Sequence, residues 1–221
     1  VLLTAAIIFT VIVPTLAIDV PTQKEEVVYG ILEADGSIKN LYVVNSFQGG
    51  LITDYGDYSD ISNMTSSGEL LHNGDRISIN TTADQFYYQG TLRSKALPWN
   101  LFICYFLDWR EIPASELAGK NGELEIKIDI TKNKAINSAF YDNYMLQVSL
   151  ALDTEKCSAI ESLNATIANA GKNKVITHTV LPGNDKKISI TTSVHDFEMN
   201  GIEMTALPFS MRIEMPDTDS L

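Results

Sequence analysis

The groups able to do chemistry in this chain are scattered, and their spacing argues against a catalytic centre. His72, His178 and His195 are the three histidines, and none has a cysteine or carboxylate at the spacing of a zinc site. No Gly-x-Ser-x-Gly elbow frames a serine, so an acyl-transfer nucleophile has no support. Asp84, Asp108 and Glu111 lie near aromatic runs, where a pair of carboxylates would suit glycoside hydrolysis, but sequence spacing does not define their separation in space. The acidic run from Asp54 to Asp60 departs from a calcium loop because its acids fall three apart rather than at alternate positions. It reads better as a polar loop directed by Gly56. His178 shares the parity of Ile176 and Val180, which places it on the apolar face of a strand as a half-buried side chain. The expectation is a protein that is not an enzyme, with no cofactor and no metal.

The aromatic residues are the stronger signal. They are grouped as Tyr55 with Tyr58, then Phe86, Tyr87 and Tyr88, then Trp99, Phe102, Tyr105, Phe106 and Trp109. Most of these rings fit core and rim packing, but alternation sends Tyr87 to the face opposite Phe86 and Tyr88. Rings on an exposed face grip a partner or stack on a sugar. Tyr55, Tyr58, Tyr87, Trp99 and Trp109 are therefore the candidate binding surface.

A formal net charge of −12, spread along the chain, excludes nucleic acid as a partner. The dense basic spots, Lys172 with Lys174 and Lys186 with Lys187, fall in Gly- and Asn-containing turns. Cys104 sits in an apolar run and is expected to be a small buried thiol. A bridge from Cys104 to Cys157 is disfavoured, because the two fall in different expected domains.

The elements that must position these side chains are β-strands. Short alternating or β-branched runs broken by Gly, Asn and Asp dominate beyond residue 25. Strands are expected at 27–32, 38–44, 76–80, 85–89 and 101–107, the first two joined by a hairpin at Asp35-Gly36. A turn, a helical bit at 113–117 and two glycines at 108–122 suggest a boundary between two β-rich domains, 25–115 and 116–216. In the second, strands at 123–130, 144–152, 165–169, 174–181, 187–194 and 209–215, with 196–204 undecided, match an antiparallel immunoglobulin-like sandwich. A short helix is expected at 154–163, capped by Thr154. The fold class is thus all-β, with one or two short helices.

Residues 1–17 carry no charge and form an apolar run slightly short of a bilayer span, ending in Thr15-Leu16-Ala17. They read as a signal peptide or N-terminal membrane segment, followed by a spacer at 18–24. This places the chain outside the cell or on the extracytoplasmic face of its membrane.

Several runs carry a family resemblance: Glu26-Val27-Val28-Tyr29-Gly30, Thr53-Asp54-Tyr55-Gly56-Asp57-Tyr58, Phe86-Tyr87-Tyr88-Gln89-Gly90, Leu97-Pro98-Trp99 and Glu116-Leu117-Ala118-Gly119-Lys120. With them the chain resembles the ectodomain of YhgE/Pip-like (phage infection protein-like) membrane proteins of Gram-positive bacteria. The resemblance implies a membrane-attached outward head and a stalk with Leu-x-x-Gly repeats beginning near 217–221. It supplies no catalytic residue. Trp109 stands where the resemblance leads one to expect Gly in a Leu-Asp-Gly turn. The functional expectation is an extracytoplasmic head acting in protein interaction or envelope structure, with a protein or cell-wall partner and membrane contact through its terminal segments. The alternatives are a carbohydrate-binding module or an enzyme acting on cell-wall glycan.

Overall fold

A computed structural model describes residues 21–209. Among these described residues fourteen strands, all paired antiparallel, form two sheets. The strands are β1 (Glu25–Leu32), β2 (Ile38–Tyr55), β3 (Tyr58–Asn63), β4 (Leu71–Asn73), β5 (Arg76–Leu92), β6 (Trp99–Leu107) and β7 (Arg110–Ile112), then β8 (Gly122–Lys132), β9 (Tyr144–Asp153), β10 (Cys157–Ser162), β11 (Thr166–Ala170), β12 (Asn173–Val180), β13 (Lys186–Val194) and β14 (Ile202–Pro208). A 3-10 turn spans Ala114–Glu116 and one short helix, α1, spans Ala139–Asn143. The large sheet runs β11-β12-β9-β14-β1-β2-β5-β3, with β4 also on β5, and the small sheet runs β10-β13-β8-β6-β7.

Period-two alternation makes the sandwich. On β8, Leu124, Ile126, Ile128 and Ile130 are buried while the residues between them turn to solvent. Leu146, Val148, Leu150 and Leu152 of β9 meet them from the large sheet. Each such side chain contributes roughly 1.5–3 kcal/mol when fully buried, so these two strands supply much of the main core.

The expected boundary at 108–122 does not separate two sets of sheets. β1 pairs with β14 and β6 pairs with β8, so strands on both sides of it share both sheets. Leu32, Leu41, Leu97, Trp99 and Tyr105 join residues from 117–206 in one core cluster. The turn and glycines that suggested a linker form the β6–β7 hairpin and the connection into β8. The later strands supply four members to the large sheet and three to the small one, and β1 and β6 pair directly with them, so the whole is one two-sheet, sandwich-like all-β fold.

Strands expected at 76–80 and 85–89 are one continuous β5, and the strand expected at 38–44 runs on to Tyr55. The apparent breaks are bulges. Gly50 takes φ +112°, and a Cβ on Gly49 would lie 1.7 Å from the Ala83 carbonyl oxygen, so this close crossing of β2 and β5 requires glycine. Beyond the bend, Ile52 and Ile77 meet Val43, Phe47, Tyr58, Phe86 and Tyr88 in a second, smaller core.

The helix expected at 154–163 is instead a turn followed by β10. Thr154 Oγ1 donates to the Lys172 carbonyl rather than capping a helix, and Cys157 pairs with Val194 as a buried residue. Tertiary pairing outweighs the local cap signal. Both cysteines are free, and Cys104 is exposed rather than buried, because β6 turns Tyr105 inward and Phe102, Cys104 and Phe106 outward. Residues 196–204, left undecided by the sequence, lead into β14. Of the strand expected at 209–215, only Phe209 is described. The expected signal or membrane segment at 1–17 and the stalk start at 217–221 lie outside the described residues.

Candidate functional site

Where the two cores meet, the sheets leave a cleft of about 320 Å³. Its floor comes from the inward positions of β1, β2 and β14, namely Val28, Leu41, Val43 and Ala206. One wall is the connection into β6, with Leu97, Pro98 and Trp99, and the other carries Ile136 and Phe140 of the α1 region. Tyr55, Tyr58, Lys24 and Glu26 close the polar end. Concave, mainly apolar and trimmed by a few polar groups, it has the character of a ligand pocket.

Lys24 organises the polar end. Its Nζ lies 3.1 Å from Glu26 Oε2 and 3.2 Å from Asp54 Oδ1. Burial by itself lowers the Lys24 pKa, but the charges of Glu26 and Asp54 outweigh it and the ammonium is held above its ordinary range. Tyr88 donates to Asp54 Oδ2 at 2.6 Å, while Asn45 Nδ2 donates to the Tyr58 hydroxyl at 3.1 Å. Burial first, and then the bond to Asp54, push the Tyr88 phenol well above its usual range. Tyr58 is likewise raised, chiefly by burial. The Tyr58 ring meets Tyr88 edge-on at 6.1 Å, and Tyr88 stacks with Phe47 at 5.9 Å. Tyr144 donates to Glu26 Oε1 at 3.3 Å, so both Glu26 oxygens are engaged.

Of the five aromatic candidates, Tyr55, Tyr58 and Trp99 converge on this cleft, although Tyr58 and Trp99 show only an edge to it and are otherwise buried. Tyr87 and Trp109 do not join them. Tyr87 is exposed on β5, where its backbone N–H donates to Thr65 Oγ1, and Trp109 projects from the β6–β7 turn. Lys24, Glu26, Ile136 and Phe140 were missed from the sequence. Glu26 did carry a signal, since it shares the inward parity of Val28 and Leu32 on β1; the α1 region carried none.

The remaining candidates for chemistry are dispersed. Asp54 is buried behind Tyr58, Asp57 pairs with Arg93 at 3.1 Å, and Asp60 lies on β3. Among the described residues no three His, Cys, Asp or Glu side chains gather to hold a metal. His178 is buried with its Nε2 2.8 Å from Ser162 Oγ, but that hydroxyl donates to the Ser189 carbonyl at 2.7 Å. The imidazole N–H is therefore the donor to serine, the reverse of nucleophile activation. Burial, and then the charge of Lys186, hold the His178 pKa below its ordinary value. No helix among the described residues is long and apolar enough to cross a membrane. The sequence matches no family model and no curated protein sequence.

Proposed function

We propose that this chain is a non-enzymatic, extracytoplasmic binding head of a bacterial cell-surface or membrane-anchored protein, and that the cleft between its cores receives an apolar group of its partner. The carrying observation is the convergence of Tyr55, Tyr58 and Trp99, spread over more than forty residues of sequence, on one cleft with an apolar floor and a charged rim. Export is supported by the uncharged apolar run at 1–17 and by the YhgE/Pip-like resemblance. The non-enzymatic reading is supported by the engagement of the nearest carboxylates: Lys24 lies between Glu26 and Asp54, and both Glu26 oxygens are bonded.

The test is saturable binding of the protein to Gram-positive cells, compared with Ala96→Trp. Ala96 is an exposed residue of the cleft lining, so the substitution obstructs the mouth without opening the core. The expected result is binding that Ala96→Trp abolishes at unchanged thermal stability. Equal binding by both proteins overturns the assignment of the cleft. Saturable binding to a purified cell-wall glycan moves the assignment to a carbohydrate-binding module, and hydrolysis of that glycan moves it to an enzyme. An alkaline phosphatase fusion after Lys24 tests export: it is expected to be active outside the cytoplasm, and to lose that activity when 1–17 are deleted.

A further inference from the structure

The outer face of the small sheet carries a second constellation that the cleft does not use. Phe106 lies in register between Glu111 of β7 and Glu125 of β8. Lys127 Nζ rests 4.5 Å from the Phe106 ring centre and 3.2 Å from Glu125 Oε2. The face thus already holds one ammonium between an aromatic ring and a carboxylate. Trp109 follows, 85% exposed, and with Phe106, Glu123, Glu125 and Thr191 it bounds a groove of about 170 Å³. Ser193 donates to Glu123 Oε1 at 2.6 Å and orients it, while Glu123 makes no ion pair among the described residues. Arg110, the nearest cation in sequence, is in register with Leu107, which packs toward the core on the opposite face. Asp108, Glu111, Glu123 and Glu125 therefore set an acidic field around the indole; of the two lysines on this face, Lys127 is held by Glu125 and Lys187, further along it, lies 3.7 Å from Asp129.

We propose that this groove docks a basic segment of a partner protein, with a lysine or arginine side chain laid on the Trp109 indole and paired with Glu123. The arrangement repeats, with an incoming cation, what Phe106 and Glu125 do for Lys127. Charge complementarity favours a basic peptide over a neutral glycan, which would gain nothing from the acidic field. The turn makes the proposal separable from stability. Asp108 and Trp109 have φ 48° and 63°, a two-residue hairpin whose second position favours glycine, so the indole is held where the backbone would prefer no side chain.

The experiment titrates the protein with hexa-arginine, following the Trp109 indole N–H by NMR, with the buried Trp99 as internal reference. Saturable movement of the Trp109 signal is expected. Trp109→Gly is expected to weaken binding, read by calorimetry, about tenfold or more while keeping or raising the thermal midpoint. Trp109→Phe, which keeps a ring, retains binding, and Glu123→Gln weakens it. Glu203→Gln, on an exposed position of β14, is the control for generic acidity and is expected to bind as the parent does. Equal weakening by Glu203→Gln, or parental binding by Trp109→Gly, overturns the proposal. Saturation by chitohexaose without a response to hexa-arginine also overturns it, in favour of a glycan.

Discussion

Lys24→Met removes the cation that links Glu26 to the buried Asp54. The Asp54 side chain is 3% exposed and that of Lys24 25%, so the loss leaves a carboxylate in the protein interior with the Tyr88 hydroxyl as its remaining side-chain donor among the described residues. Breaking a fully buried pair costs roughly 3–5 kcal/mol, and the partial exposure of Lys24 brings the expectation below that range, to about 2–3 kcal/mol. Asp54→Asn keeps an acceptor for Tyr88 and leaves Lys24 paired with Glu26, so its cost is smaller, about 1–2 kcal/mol. The double variant no longer strands a charge at position 54, and Glu26, 19% exposed, keeps its bond from Tyr144. That variant is therefore expected to be less destabilised than the two single losses added together, by about 1–2 kcal/mol. Urea unfolding with linear extrapolation measures all three. In a domain of this size the Lys24→Met loss corresponds to a fall in Tm of roughly 4–12 °C. A loss below about 0.5 kcal/mol for Lys24→Met, the range of an ordinary surface substitution, or strict additivity in the double variant, would refute the view that Lys24 compensates Asp54.

Gly90→Ala tests the seat of Tyr58: a Cβ there would lie 2.5 Å from the Tyr58 ring, so overpacking of about 1–3 kcal/mol is expected, and an unchanged urea midpoint would contradict it. His178 should make stability depend on pH. Its folded pKa is depressed below an unfolded value of about 6.5, so the unfolded state takes up the proton first, and stability is full above that pH and declines as pH falls through it. His178→Gln, which retains a donor for Ser162, should flatten that slope in unfolding measured from pH 8 to 5; an unaltered slope would assign it to other groups. Thiol titration of the native protein should label Cys104 rapidly and Cys157 only on unfolding, and two equally fast thiols would contradict the orientation of β6.

What the sequence made legible follows from which physical signals are local. β8, β9 and β13 alternate strictly, and their expected positions agree with the observed strands to within a few residues. The Asp35-Gly36 hairpin was equally readable: Gly36 takes φ +84°, and Asp35 Oδ1 accepts the Ser37 N–H. The β2–β5 ribbon was not, because Gly49 and Gly50 look like a chain break in one strand and act as a bend only once a second strand lies against them. Thr154 and Glu155 look like a helix start, yet Cys157 is claimed by β13. The aromatic residues of the site were legible by type. Their convergence was not, because it depends on the bend that returns Tyr55 and Tyr58 toward Trp99.

The place of the cleft follows from the same bend. Val28 and Leu92 flank both core clusters, and both residues line the cleft. The cleft also takes Leu41, Leu97 and Trp99 from the larger core and Val43 and Tyr58 from the smaller, so it is the seam along which the two packings fail to merge. A group entering the seam touches both cores at once, so binding would stabilise the packing of both together. The polar network at its end has the complementary role: Lys24 ties β1, through Glu26, to the returning end of β2, through Asp54, and so holds the seam at one width. Loosening that tie by Lys24→Met would alter the cleft, whereas a cavity made deep in either core, far from Val28 and Leu92, would lower stability and leave the cleft's shape intact.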